Sequence, residues 1–255
     1  METMLNACRA EYLKLRTTAS LWWTSGIFLL LALSVPTLLG LTISPAETDA
    51  EYLTSVANPE MMLGTIPFIC LPVVVVQAAM TVSTEYRYGI QATTLLATPR
   101  RGVVAAAKWL VYSAHVAVLT LIAVFLTYVI FGALTTGISP STFLSDGHAL
   151  SYLLVMPLGM ILIVTFTQGI AMLVRNTAGA VVLVLAWKLV IESALEFLPK
   201  IGHVVADYLP FKHFDLFIAQ SELSEWGMWG DGAYFTLWAV VVWAVGFASF
   251  ARRDA

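Results

Sequence analysis

The sequence predicts an all-α membrane protein with six transmembrane helices, and composition and hydropathy are the observations behind this. Of 255 residues, 59% are hydrophobic and only 11% are charged, whereas soluble domains carry about 25% charge. The mean hydropathy is +0.84. Six apolar runs have about the length, roughly 20 residues, that a helix needs to cross a bilayer. They cover residues 21–43, 61–83, 109–131, 150–174, 178–198 and 232–250, which makes residues 1–255 a single transmembrane domain.

Positively charged residues are distributed unevenly between the two ends of the predicted spans. Of the 13 Lys and Arg, all but Lys188, Lys200 and Lys212 fall at one end, and the loops at the other end are acidic. Those acidic residues are Glu47, Asp49, Glu51, Glu60, Asp146, Asp207, Asp215, Glu222, Glu225 and Asp231. Cytoplasmic loops carry an excess of Lys and Arg. We therefore expect both termini to lie in the cytoplasm.

The segment before the first span, residues 2–18, is predicted to form an amphipathic helix in the headgroup layer. Its apolar residues recur at helical spacing and its polar face is basic; the residues concerned are Met4, Leu5, Cys8, Tyr12, Leu15, Arg9, Lys14 and Arg16. The alternative is a plain basic flank that orients the first span. We expect no cleavable signal peptide, because the first apolar run is too long for one. Cys8 and Cys70 are predicted on different levels of the membrane, so no disulfide is expected.

A polar segment, residues 84–101, separates the second and third spans and is predicted to be cytoplasmic from its basic residues. Its middle has both apolar and polar faces, and the helix should end before Pro99. Such a short amphipathic helix indicates a docking site for a soluble partner. The alternative is that residues 85–101 only lie on the membrane surface and orient the loop.

Three ionisable residues follow one another at helical spacing in the fifth span. Lys188, Glu192 and Glu196 stand at i, i+4 and i+8, which places them on one helical face. Charged groups at mid-bilayer cost at least about 2.5–3.5 kcal/mol, so this face should avoid lipid. One interpretation is a polar stripe along a substrate path or a subunit interface. The other is a structural Lys188–Glu192 pair, with Glu196 already at the outer membrane surface.

The segment between the fifth and sixth spans, residues 199–231, alternates charged and bulky apolar residues, which favours short helices packed on the extracellular face. His203 and Asp207 lie one helical turn apart there, with His213 and Asp215 beyond them. No dense set of His, Cys and Glu accompanies them, so we expect no metal site. His115, in the third span, is expected to be a hydrogen-bonded core histidine.

Several sequence motifs are missing, and their absence limits the possible functions. No G-x-x-x-x-G-K-[ST] motif is present, so ATP binding through a P-loop is excluded for this chain. H-E-x-x-H and G-x-S-x-G are missing as well, which leaves no obvious catalytic residues for an intramembrane hydrolase. We therefore expect no enzymatic activity and no bound cofactor. No internal repeat is convincing, which weakens an inverted-repeat secondary transporter.

Four segments carry a resemblance to a known family. They are AEYLKLRTT at 10–18, STEYRYGIQATTLLATPRRGVVAAAK at 83–108, MLVRNTAGA at 172–180 and YLPFKHFDL at 208–216. The chain resembles the membrane subunits of ABC-2 type exporters, in particular an actinobacterial-like branch, over nearly its whole length. The second segment is the most specific, because it begins with an acid–aromatic–Arg–x–Gly pattern. Ile90 departs from the threonine that many relatives have after this glycine.

The resemblance implies an ABC-2 (type V exporter-like) fold with six spans, an N-terminal elbow helix and outer re-entrant helices. It implies two permease copies, each docked on one of two cytoplasmic ATPase subunits that bind ATP and Mg. A coupling helix after the second span would press into the ATPase, and the turn at 175–179 would form a second contact. Carried onto this sequence, the coupling residues are Glu85, Tyr86, Arg87, Gly89, Leu96, Arg100 and Arg175.

These expectations describe the permease subunit of an ATP-driven exporter in the bacterial plasma (inner) membrane. It would be a homodimer that moves a hydrophobic or amphipathic compound outward: a drug, an antibiotic, a peptide or a lipid. Membrane lipid would be a further partner, and nucleic acid would not. Two alternatives stay open: a non-transporting regulatory or assembly protein that recruits a cytosolic partner, and a channel or secondary transporter.

Overall fold

The structure, a computed structural model, describes residues 2–43, 58–98, 100–135, 139–196, 198–199, 202–221 and 224–252. Some residues of the predicted charge pattern lie outside the described residues. They are Glu47, Asp49, Glu51, Lys200, Glu222 and Arg253. The side chain of His203, which the sequence places one helical turn from Asp207, also lies outside the described part.

Within the described residues, six helices are long and apolar enough to cross a membrane, which is the number of candidate spans that the sequence predicts. They are span 1 (Ala19–Thr42), span 2 (Pro59–Arg87), span 3 (Arg101–Leu134), span 4 (Gly147–Val174), span 5 (Thr177–Glu196) and span 6 (Gly227–Arg252). Span 3, at 34 residues, extends well beyond its apolar centre. Hydropathy identifies the apolar centre of a helix but not the polar turns at its ends, so the predicted span was shorter than the helix.

The shorter helices lie before and between the spans. They are the N-terminal helix (Glu2–Thr17), Gln91–Ala97, Pro140–Ser145, Gly202–Ala206 and the outer helix (Pro210–Ile218). Gln91–Ala97 lies in the predicted coupling segment and is called the coupling helix for that reason. Two spans contain a π-helical turn, at Ile66–Cys70 in span 2 and at Trp187–Ile191 in span 5. A π turn widens the helix locally, so side chains beyond it no longer keep the α-helical register.

Span 4 is the centre of the described fold and packs against spans 2, 3 and 6. The apolar windows of spans 2, 3 and 4 are 50–61% buried, whereas those of spans 1, 5 and 6 are only 17–22% buried. Spans 1, 5 and 6 therefore present wide apolar faces to their surroundings. In a membrane such faces contact lipid or another protein chain.

Glycines allow spans 4 and 6 to approach each other closely. A Cβ added at Gly246 would lie 2.3 Å from the carbonyl oxygen of Gly169, and one added at Gly169 would lie 2.7 Å from the backbone of Val242. Small residues at helix interfaces permit this backbone contact in membranes. The pair fixes span 6 against the central helix.

The N-terminal helix packs against span 3 and matches its predicted apolar face only in part. Met4, Cys8 and Leu15 of that face are half-buried, whereas Leu5 and Tyr12 are both 54% exposed. The buried residues are Ala7 and Glu11, so the helix also turns an acidic side chain toward the protein. This orientation brings a buried carboxylate to the ends of the neighbouring spans.

The outer helix inserts three phenylalanines between spans 4 and 6. Phe211, Phe214 and Phe217 are all buried, and the rings of Phe211 and Phe214 lie 5.4 and 4.9 Å from the ring of Phe235 in span 6. Aromatic pairs at such distances add to the stability gained from burial. The outer helix is thus part of the core.

Candidate coupling site

Four charged side chains from three elements form a closed ring, here called the four-charge ring. Lys14 Nζ lies 2.7 Å from Glu11 Oε1 and 2.8 Å from Glu85 Oε1. Lys108 Nζ lies 3.0 Å from Glu11 Oε2 and 2.6 Å from Glu85 Oε1. Positive and negative charges alternate around the ring. It joins the N-terminal helix, the end of span 2 and the start of span 3.

Burial makes this ring different from an ordinary surface ion pair. The side chains of Lys108, Glu11 and Glu85 are only 7%, 9% and 12% exposed, while Lys14 is 43% exposed. A buried charge is tolerated only when opposite charges and hydrogen bonds compensate its lost hydration. Each lysine contacts both carboxylates, so the formal charge of the ring is zero. Removing any member leaves the others unbalanced.

The pKa of Lys14 follows from the same contacts. Partial burial alone would lower it, but the hydrogen bonds and negative charges of Glu11 and Glu85 outweigh burial and raise the pKa above its ordinary value of 10.5. A raised lysine pKa contributes stability that is complete below the ordinary value and is lost only as the pH rises through the folded value. Lys14 therefore stays charged throughout the physiological range.

Sequence reasoning did not find this ring, although its parts were visible. Glu85 and Lys108 are opposite charges at the facing ends of consecutive spans, which is a usable signal. The signal at Glu11 is weaker: it is an acidic residue three positions before Lys14 within a basic helix. No pattern links Glu11 to Lys108, which is 97 positions away.

The coupling helix follows span 2 after a tight turn. Span 2 ends at Arg87, Gly89 has φ of +65°, and the Ile90 N–H donates to the Glu85 carbonyl at 3.0 Å. A positive φ is readily adopted by glycine. The turn therefore bonds the start of the coupling helix to the backbone of Glu85, a member of the four-charge ring.

The predicted coupling residues divide into two groups. Arg87, Gly89, Leu96 and Arg100 are exposed, and Leu96 is 85% exposed. Glu85 faces the opposite way, because its carboxylate is occupied by two lysines. The geometry therefore places Arg87 and Leu96, rather than Glu85, where a partner could contact them.

Tyr86 and Arg175 bring the two predicted contact segments together. The Arg175 guanidinium carbon lies 4.8 Å from the centre of the Tyr86 ring, a cation–π distance. Arg175 ends span 4 with φ of +57°. Close by, Ser83 Oγ of span 2 lies 2.5 Å from Thr177 Oγ1 at the start of span 5. The turn between spans 4 and 5 is thus tied to the end of span 2.

The ionisable residues of span 5 lie at the other end of the bundle and take different partners. Lys188 Nζ lies 2.5 Å from Oδ1 of Asp215 in the outer helix, and 5.2 Å from the centre of the Phe214 ring. Its partner is therefore Asp215, whereas the sequence offered Glu192. Glu196 is exposed. The π turn at Trp187–Ile191 shifts the register between Lys188 and the residues that follow it.

Glu192 caps the outer helix. Its Oε1 accepts from the Phe211 N–H and its Oε2 from the Lys212 N–H, both at 2.9 Å, and the Trp187 indole N–H also donates to Oε1 at 2.9 Å. The first N–H groups of a helix have no partner inside it, and a carboxylate there is favoured by the helix dipole. Span 5 is thereby joined to the outer helix by a cap and by an ion pair.

No protein-family model matches this chain, and no curated protein matches it.

Proposed function

We propose that this protein is the membrane-spanning permease subunit of an ABC-2 type exporter, paired with a second copy and driven by separate cytoplasmic ATPase subunits. The observation that supports this best is the exposed coupling helix held at the four-charge ring. Three of its four charges are buried, and separating buried ion pairs is strongly unfavourable, so the ring ties the end of span 2 firmly to two other elements. A firm attachment of this kind would let motion of the ATPase reach the spans.

The exposed side chains of this region suit docking into a protein cleft. Tyr88, Ile90 and Leu96 are 66%, 48% and 85% exposed. Arg87 adjoins them, with its guanidinium carbon 5.8 Å from the centre of the Tyr88 ring. Tyrosine and arginine are enriched among the residues that dominate binding energy at protein interfaces, and the two aliphatic side chains add apolar contact area.

A movement of the coupling helix would reach several spans at once. The four-charge ring connects it to the N-terminal helix and span 3, and Tyr86–Arg175 connects it to the turn between spans 4 and 5. In this proposal Glu85 and Lys108 are positioning residues, while Arg87 and Leu96 contact the ATPase. ATP-driven closure of two ATPase subunits would then shift the spans as linked bodies.

The exposed apolar faces of spans 1 and 5 would supply the contact with the second permease copy. In span 5 the exposed residues include Val182, Leu183 and Val190, at 51–63% exposure. The compound moved would be hydrophobic or amphipathic, and it would leave through the plasma membrane.

Reconstituted vesicles test the proposal. The chain and its copurifying ATPase should give outward flux that needs ATP and stops with Leu96→Asp in the permease. Flux driven by an ion gradient alone would support the secondary-transporter alternative. Absence of any ATPase partner would support the regulatory one.

A further inference from the structure

A cavity of about 500 Å³ opens at the end of the bundle opposite the four-charge ring. It lies between the start of span 2, spans 4 and 5, and the end of the outer helix. Met61, Phe68, Met156 and Ile218 supply much of its wall. The volume falls in the range of about 300–1,000 Å³ typical of small-molecule sites, which are mostly apolar with a few placed polar groups.

The described lining of the cavity includes one buried basic side chain, and its charge is already paired. Lys188 is 8% exposed, its ammonium group pairs with Asp215 Oδ1, and it lies 5.6 and 5.2 Å from the ring centres of Phe211 and Phe214. A carboxylate and two aromatic faces therefore surround it. An incoming anion would have to displace Asp215 to reach Lys188.

The carboxylates of the cavity remain open. Asp215 is 56% exposed, and Lys188 contacts only its Oδ1. Glu60 is exposed at the same cavity and forms no ion pair with any residue that the structure describes. Glu60 and Asp215 against Lys188 give the described lining a formal charge of −1. The unpaired charge is therefore negative.

The apolar wall suits the body of an organic molecule. Phe68 is 71% exposed, so its ring face is free to meet a cation. Met61 and Met156 are flexible, polarisable side chains that adapt to differently shaped ligands. Carboxylates beside an aromatic ring and an adaptable wall recognise an apolar cation.

We propose that this cavity binds a hydrophobic organic cation with a single positive charge, which, if the exporter function holds, would be its substrate class. Asp215 and Glu60 would neutralise the charge, and Phe68 and the two methionines would enclose the apolar part. Lys188 holds Asp215 in place and lowers the affinity for the cation by competing with it.

Tetraphenylphosphonium and tetraphenylborate provide a matched pair of probes, because they have nearly the same shape and opposite charge. Equilibrium dialysis of the purified full-length chain in neutral detergent should show saturable binding of the phosphonium and only micelle partitioning of the borate. No ATPase is needed. Failure of this test would leave the exporter proposal standing, and absence of an ATPase partner would leave the cation site standing.

Substitutions should shift this binding in both directions. Asp215→Asn should weaken phosphonium binding about tenfold, and Glu60→Gln by a few fold, because each removes a negative charge from the cavity. Lys188→Gln should strengthen it, since Asp215 is then free of its competitor. Asp207→Asn is the matched control: Asp207 is also an ion-paired acid of the outer segment, but it lies at a different cavity.

Several results would overturn the proposal. Equal binding of the borate would show that the cavity does not distinguish a cation from an anion. Equal phosphonium affinity in Glu60→Gln, Asp207→Asn and the natural sequence would show partitioning only, and Glu60 is exposed, so that variant should fold even if Asp215→Asn does not. Tightly held lipid that the phosphonium does not displace would identify the cavity as a lipid site.

Discussion

The ammonium group of Lys108 lies 2.6 Å from Oε1 of Glu85 and 3.0 Å from Oε2 of Glu11. One buried lysine thus joins the end of span 2, the start of span 3 and the N-terminal helix. The coupling helix begins at Gln91, only four residues beyond Arg87, so this junction lies close to the start of that helix. In the exporter proposal, a movement of that helix would act on these charges.

Replacing Lys108 tests the structural weight of the ring. Lys108→Met leaves two buried carboxylates with a single lysine, and breaking a buried pair in this way costs about 3–5 kcal/mol in the free energy of unfolding. The matched control is Lys212→Met, which removes a 3.1 Å pair whose lysine and aspartate side chains are 32% and 70% exposed and should cost less than about 1 kcal/mol. Denaturant unfolding in micelles measures both. Equal losses would contradict a structural role for the ring.

Removing the Glu192 cap should loosen the outer helix. Glu192→Ala leaves the Phe211 and Lys212 N–H groups without their acceptor, which costs about 1–3 kcal/mol for buried donors. Amide hydrogen exchange across Pro210–Ile218 should accelerate, while exchange in span 3 stays unchanged. Glu196→Ala, at an exposed position of the same span, should leave the outer helix as it was. Acceleration in both variants would show that the cap is not the cause.

The glycine contact between spans 4 and 6 predicts a steric effect. Gly246→Ala places a methyl group 2.3 Å from the Gly169 carbonyl oxygen, so the helices must separate. Overpacking of this kind costs about 1–3 kcal/mol. Gly26→Ala in span 1, where an added Cβ meets nothing within 4 Å, is the control and should not lower the melting temperature, since alanine is favoured over glycine inside a helix. A neutral Gly246→Ala would mean that this interface is looser than described.

The six candidate spans could be predicted from the sequence because length and hydropathy are properties of a continuous segment. The partner of Lys188 could not. Regular α-helical spacing points to Glu192, but the π turn and the outer helix, which is distant in sequence, place Asp215 there instead. Glu192 is thereby free to cap that same helix.

The candidate coupling site was predictable only in part, for a similar reason. The local pattern predicts a short helix that ends before Pro99, and the resemblance singles out Gly89 and Leu96. The inward direction of Glu85 does not, because it depends on Lys14 and Lys108, which come from other elements. Local patterns report which residues are charged, and only the packing of distant segments decides which of those charges remain available.

Substitution of the exposed Leu96 is the most selective test of the proposed docking surface. Leu96 is 85% exposed, so Leu96→Asp should leave folding unchanged and place a charge in an apolar contact, which binding would have to desolvate. Leu96→Met, similar in volume, is the control and should bind normally. Association with the ATPase should fall at least about tenfold in the aspartate variant alone.

The most direct test of the exporter proposal is mild-detergent purification of the tagged chain from its native cells, followed by quantitative mass spectrometry. The proposal predicts a stoichiometric P-loop ATPase that is retained with Leu96→Met and lost with Leu96→Asp. Recovery of the chain without such a partner, from membranes that contain the ATPase, would contradict it.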